Sequence, residues 1–200
     1  MAEASASATS RPPETPAQTR RRWALFLGLA VVVILLDQLS KTWVDASFEL
    51  ASRAVPSGEA GGPTELIGDL VRIAKTYNDG AIFGFLDATA GLMALLSLFV
   101  IGGISWYEWR YGAGLGPMIT VGLGLLLGGA VGNLIDRVRF GHVVDFVDMG
   151  IGDARWYTWN ISDAAVFIGI LLLLGAALLG DRAPGVPPTP GAAHKPEGSA

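Results

Sequence analysis

The stretch LGPMITVGLGLLLGGAVGNLIDR, residues 115–137, decides the architecture. From Leu115 to Ile135 it runs 21 residues without a charge, and a helix needs about 20 apolar residues to cross a bilayer. Gly124, Gly128 and Gly132 recur at every fourth position, so one stripe of that helix lacks side chains and a second helix can pack against its backbone. Asn133 and Asp136 follow directly, which aims polar groups into a helix junction. Outward from this stretch lie three more apolar runs: Trp23–Val44, Ala88–Tyr107, and Ala164–Gly180 with Asp163 at its entrance. Only helices and closed barrels satisfy their backbones in lipid. The expected fold is therefore an all-α membrane protein of four transmembrane helices, at about 23–44, 88–107, 115–135 and 163–180.

Composition narrows the chemistry. Of 200 residues, 51% are hydrophobic and 16% charged, with a mean hydropathy of +0.46; a soluble domain carries about 25% charged residues. A water-soluble globule is excluded. The chain has no cysteine, which rules out disulfides, thiolate-bound metals and a thiol nucleophile. Its two histidines are His142 and His194, the second in a Pro/Gly-rich tail, so a Ser-His-Asp triad or a multi-histidine site lacks material. A net charge of −4 argues against nucleic acid as a partner. Any reaction falls to carboxylates, and no cofactor is expected.

Arg20-Arg21-Arg22 ahead of the first run suits a signal anchor with the N-terminus in the cytoplasm. The continued helix and the lack of a small-x-small site oppose a cleaved signal peptide. Four spans then put both termini in the cytoplasm and segments 45–87 and 136–162 outside. Residues 1–22 and 183–200 are expected to be disordered tails flanking a membrane domain at 23–180. Asp69–Tyr77 alternates apolar and polar residues as a half-buried strand does. Val143–Met149 and Trp156–Trp159 also read as short strands, so a small extracytoplasmic β-sheet and loop region is expected on the outer face.

Ionisable residues near hydrocarbon are costly, and they cluster here. Asp37 and Lys41 share a helix face one turn apart and are expected to pair. Asp136 with neighbouring Arg137 reads as a helix-end pair, and Asp163 as a cap of the fourth helix. Asp145 sits among Val143, Val144, Phe146 and Val147, a setting that raises a carboxyl pKa. Two carboxyls brought together there divide their labour: one keeps a proton and the other acts as a base toward water. Asp145 and Asp163 flank a loop that can bring them face to face for general acid–base hydrolysis without a covalent intermediate. Two other classes remain open. A small proton-coupled transporter also uses intramembrane acids, and a non-enzymatic assembly protein would use the glycine stripe as an interface. A hard-oxygen metal set of Asp136, His142, Asp145 and Asp148 is a further alternative, although no metal is expected.

Five motifs occur in order: DQLSK at 37–41, NDGAIF at 78–83, GGAVGNLIDR at 128–137, VVDF at 143–146 and NISD at 160–163. With them the chain resembles the lipoprotein signal peptidase (signal peptidase II) family, bacterial four-helix membrane aspartyl proteases, over roughly residues 23–180. The resemblance implies a multi-pass enzyme of the bacterial inner membrane with its active site near the extracytoplasmic face. It implies cleavage of prolipoprotein signal peptides just before a diacylglyceryl-modified cysteine, with modified prolipoproteins and membrane lipids as partners; a monomer is expected. It places the catalytic pair on Asp145 and Asp163, with Asp136 the runner-up. Asn78, Gly80, Asn133, Arg137 and Asn160 match substrate-binding positions, and Asp37, Lys41 and Asp136 structural or supporting ones. Departures are Ser162, where the family usually has Ala, and Ile82, where it has a second Ala. Ser162 is small and is expected to be tolerated, with a hydroxyl able to hydrogen-bond a catalytic carboxylate, and residues 54–64 read as an enlarged, flexible portion of the first outer loop.

Overall fold

The computed structural model describes residues 14–52, 54–79 and 89–179. Within them lie four helices long and apolar enough to cross a membrane: α1 (Pro16–Ser47), α2 (Thr89–Tyr111), α3 (Pro117–Phe140) and α4 (Ile161–Leu179). A 3-10 turn, Gly112–Gly114, joins α2 to α3. Apolar side chains such as Leu36, Leu95, Phe99 and Leu171 lie exposed on the outer faces, as lipid-facing residues do.

The first helix begins at Pro16, not Trp23, so residues 16–22 of the expected tail are helical. The cause is local. Thr15 caps the helix by accepting from the Gln18 backbone N–H, and the Gln18 side chain accepts from the Thr15 N–H. Pro16 occupies the first helical position, where its missing donor costs nothing. The second expected tail, 183–200, lies outside the described residues.

Helix α3 forms the centre of the bundle. Phe26 and Ala30 of α1 pack with Leu123 and Leu127 of α3, and Ile101 and Ile104 of α2 lean on the same cluster. Lipid is as apolar as leucine, so close packing holds these helices together, not the hydrophobic effect. The glycine stripe makes that approach possible. A Cβ on Gly124 would stand 2.8 Å from the Phe26 carbonyl oxygen, and one on Gly128 2.9 Å from that of Ala30. A second glycine row faces α4, where a Cβ on Gly122 would stand 3.1 Å from the Gly169 carbonyl oxygen.

Four strands form one antiparallel sheet in the order β1-β2-β3-β4: Thr64–Ile67, Val71–Asn78, Val143–Ile151 and Ala154–Arg155. Two expectations need correction. The segment read as a flexible loop folds into turns, with Ser52 N–H on the Gly61 carbonyl and Gly58 N–H on that of Pro63, and then enters β1. Trp156–Trp159 is not a strand; the hairpin that turns at Gly152, with φ of +55°, pairs only Ala154 and Arg155 with β3. That segment still lies along β3: Trp159 bridges to Val147, and the Trp156 N–H donates to the Met149 carbonyl at 2.7 Å. Val143 through Phe146 are buried where β3 runs beside β2 and Phe146 packs on Val44 of α1.

Two local features position the site. Gly141 adopts the left-handed conformation at φ +79° and donates to the Arg137 carbonyl, stopping α3 two residues before β3. In β2, Ile73 pairs with Val147 but Thr76 with Asp145, so β2 carries one extra residue. A one-residue shift moves side chains to the opposite face. This bulge accounts for the consecutive burial of Ile73, Ala74 and Lys75, and it brings Asn78 onto the face that carries Asp145.

Candidate active site

The site grows from the start of α4. Asn160 is the cap: its Oδ1 accepts from the Asp163 backbone N–H at 3.0 Å. The Asp163 carboxylate answers by accepting from the Asn160 N–H at 3.2 Å, a capping box with an acid in the third helical position. The expected capping role of Asp163 is therefore shared, with Asn160 as the cap itself. The Asn160 amide Nδ2 also donates to Asp145 Oδ1 at 2.6 Å and to Asn133 Oδ1 at 3.2 Å. One buried amide thus joins β3, α3 and the α4 entrance.

Asp145 is 2% exposed. Its second oxygen accepts from Asn78 Nδ2 at 3.0 Å. Burial first, and the neighbouring Asp163 carboxylate second, push the Asp145 carboxyl up to about 6, against hydrogen bonds from Asn78 and Asn160 and the charge of Lys41. On the other side, Asn133 Nδ2 donates to Asp163 Oδ1 at 2.8 Å.

Behind these groups lies an ion cluster. The Lys41 ammonium, 3% exposed, reaches Asp37 Oδ2 and Asp136 Oδ2, each at 2.8 Å, and Asn133 Oδ1 at 2.9 Å. Three N–H donors meet three acceptors, which satisfies a buried ammonium. The expected Asp37–Lys41 pair is present. Asp136 pairs with Lys41 and Gln38, the latter at 2.9 Å, not with Arg137, because its position on α3 turns it toward α1. Arg137 is half-buried and donates to the Asn133 carbonyl at 3.4 Å. The Ser162 hydroxyl meets no hydrogen-bonding partner. It is buried against Gly132 while its backbone N–H donates to Asp37, so the hydroxyl bonds neither Asp145 nor Asp163.

An apolar groove of about 1010 Å³ opens beside Asp163, between the α4 face at Ala164, Phe167 and Ile168 and the sheet at Met149, Ile151 and Trp156. Asp163 lines this groove and Asp145 is joined to it through Asn160; two carboxyls so linked can hold a water and transfer protons to a bound amide. The residues weighed as a metal set do not converge. Asp136 is committed to Lys41, His142 stacks on Tyr77 with centroids 4.0 Å apart, and Asp148 is held by Arg72 and Arg155 at 2.6 and 3.0 Å. Among the described residues no group of three such ligands gathers. Gly80 and Ile82 lie outside the described residues.

Sequence reasoning missed three groups. Gln38 stood inside the DQLSK motif, and its polarity within an apolar run was a usable signal. The Asp148–Arg72–Arg155 cluster, which clamps β2, β3 and β4, has residues too far apart in sequence to announce it. Glu108 is fully buried at the opposite end of the bundle and bonds Arg22 at 2.6 Å, so the buried acids are not confined to one end.

The profile of the family described as signal peptidase (SPase) II matches residues 29–179. A lipoprotein signal peptidase of Mycolicibacterium smegmatis is 36% identical over 173 residues, covering 84% of this chain and 66% of that protein. One from Syntrophomonas wolfei is 37% identical over 155 residues, with 77% and 93% covered. A solved structure titled as a bacterial membrane enzyme at 1.9 Å superposes with a TM-score of 0.65 and 26% identity, over 76% of this chain and 92% of that one. A second, at 2.3 Å, gives 0.63 and 26%, over 77% and 87%.

Proposed function

Because the chain belongs to the signal peptidase II family, we propose that this multi-pass bacterial membrane protease removes signal peptides from prolipoproteins with Asp145 and Asp163 as its catalytic pair. The cut falls before a diacylglyceryl-modified cysteine. The observation that carries the assignment is the Asn160 residue, whose side chain and backbone N–H hold the two carboxylates together at 2.6 and 3.2 Å. Two acids so placed share one proton. The ionised member takes a proton from a bound water, which attacks the scissile carbonyl carbon. The protonated member donates to the carbonyl oxygen, and a proton passes to the departing amine as the C–N bond breaks. Burial excludes bulk water, which strengthens each of these interactions.

Asn78 and Arg137 hold the extended peptide around the scissile bond. The groove beside Asp163 supports lateral entry from the bilayer, with the acyl chains remaining in lipid. The site lies at the extracytoplasmic face and both termini in the cytoplasm, with Arg20–Arg22 as the inside anchor and Trp156 and Tyr157, both exposed, at the headgroups. The test is a gel-shift cleavage assay in detergent micelles with a diacylglyceryl-modified prolipoprotein and its unmodified twin. Cleavage of the modified substrate alone is expected; cleavage of neither by folded protein overturns the reading.

A further inference from the structure

The ion cluster behind the carboxyl pair has a geometry that a simple helix staple does not need. Asp37 gives one oxygen to Lys41 and the other to the backbone N–H of Ser162, at 2.9 Å. Ser162 immediately precedes Asp163. Asp136 accepts from Lys41 and also from the backbone N–H of Val144, at 3.2 Å, and Val144 immediately precedes Asp145. The third N–H of Lys41 goes to Asn133 Oδ1, and the far end of that amide donates to Asp163. One ammonium therefore reaches both acids through three arms: a carboxylate to the residue before each, and an amide to Asp163 itself.

We propose that Lys41 is a positioning residue for hydrolysis, setting the separation of Asp145 and Asp163 and the orientation of the Asn133 amide between them. The inference rests on the function proposed above. An ammonium only donates, so the end of Asn133 facing it must be the oxygen, and the NH₂ end is thereby committed to Asp163. Without the ammonium, Asn133 Oδ1 loses the nearer of its two donors and keeps only Asn160 Nδ2 at 3.2 Å, so the amide that donates to Asp163 is held less firmly. Without it, Asp37 and Asp136 also repel each other, and the backbone segments they hold at 161–163 and 143–145 move apart. Lys41 itself makes no hydrogen bond to either acid of the pair; beside its charge, which favours the ionised form of Asp145, it acts through the groups it positions. A misplacement of about 1 Å at a reacting group costs on the order of 100-fold in rate.

Lys41→Met alone strands two buried carboxylates and endangers folding. Two better variants are Lys41→Arg, which keeps the charge but not the compact three-donor geometry, and the charge-balanced triple Asp37→Asn/Lys41→Met/Asp136→Asn, whose amide oxygens can still accept from Ser162 and Val144. Each is assayed on diacylglyceryl-modified prolipoprotein for kcat, KM and thermal stability, beside wild type and Asn133→Asp. In variants that melt near the wild-type temperature, kcat falls about 100-fold for the triple and at least about 10-fold for Lys41→Arg, with KM within about twofold. Adding Asn133→Asp to Lys41→Arg gives less than the product of the two losses, because they share a path. Wild-type kcat in a folded Lys41→Arg or triple variant overturns the proposal, as does a loss carried by KM. Failure of wild type to cut this substrate would instead overturn the function itself.

Discussion

Replacing Asp145 with asparagine should stabilise the protein while silencing it. Burial and the Asp163 carboxylate hold the Asp145 carboxyl at about 6, against an ordinary value of 3.8. At about 1.4 kcal/mol per pH unit, the ionised acid makes the folded state about 3 kcal/mol less stable than its protonated form. A raised carboxyl carries no such penalty below its unfolded value, and stability is lost as pH rises from about 4 through 6. Asparagine has no charge to lose. It keeps an oxygen for Asn160, but its NH₂ end faces Asn78, which donates to Asp145 in the wild type; that mismatch returns about 1 kcal/mol. The net gain is about 2 kcal/mol at neutral pH, or roughly 4–8 °C in Tm for a chain of this size. The assay is thermal unfolding in one detergent at pH 7.5 and pH 4. Asp145→Asn should melt higher at pH 7.5, the gain should be gone or reversed by up to about 1 kcal/mol at pH 4, where only the mismatch with Asn78 remains, and cleavage should be absent at both. A variant less stable at pH 7.5, or a gain equal at the two pH values, would refute the reasoning.

Asn160→Ala removes the α4 cap, about 1 kcal/mol, together with a hydrogen bond to Asp145 worth about 1.5–3 kcal/mol. It should unfold earlier in a thermal melt, and the activity limb set by Asp145 ionisation should move to higher pH. Gly128→Ala forces a Cβ to 2.9 Å from the Ala30 carbonyl oxygen and should cost about 1–3 kcal/mol. Gly102→Ala, with nothing within 4 Å of its Cβ, should leave the same melt unchanged. Burial alone would raise the Asp148 carboxyl, but hydrogen bonds from Arg155 and Arg72 and their charges outweigh it and hold it below the usual range. Asp148 stabilises the sheet above pH about 4 and loses that contribution as acid drives pH through its lowered value. Asp148→Ala, which leaves Arg72 and Arg155 with Asp69 as their remaining acid, should cost about 1.5–3 kcal/mol in a melt at neutral pH.

What the sequence disclosed follows from which forces are local. The four spans were legible because lipid demands uninterrupted apolar length, and the stripe at Gly124, Gly128 and Gly132 because close helix contact demands small residues at helical spacing. The start of α1 lies ahead of the apolar run, where hydropathy carries no signal and only the capping box of Thr15-Pro16-Ala17-Gln18 marks it. The extra residue in β2 was not legible. Alternation in Asp69–Tyr77 suggested a regular strand, and only pairing with β3 reveals that Thr76, not Lys75, faces Asp145. Candidate site residues were found as types in motifs. Their connections, such as Lys41 to Asn133 across 92 positions, depend on how three helix ends meet. The pairing of Glu108 with Arg22 escaped for the same reason.

The central claim is that the reacting carboxyls are Asp145 and Asp163 and that Asp136 serves behind them. The direct measurement is kcat on diacylglyceryl-modified prolipoprotein for Asp145→Asn, Asp163→Asn and Asp136→Asn, each compared with wild type at matched folded fraction. The account predicts losses of at least about 1000-fold for the first two, the scale on which removing an acid–base group acts. Asp136→Asn, which still offers an oxygen to Lys41 and Val144, should stay within about 10-fold of wild type. Substantial turnover by folded Asp145→Asn or Asp163→Asn, with Asp136→Asn inactive, would contradict it.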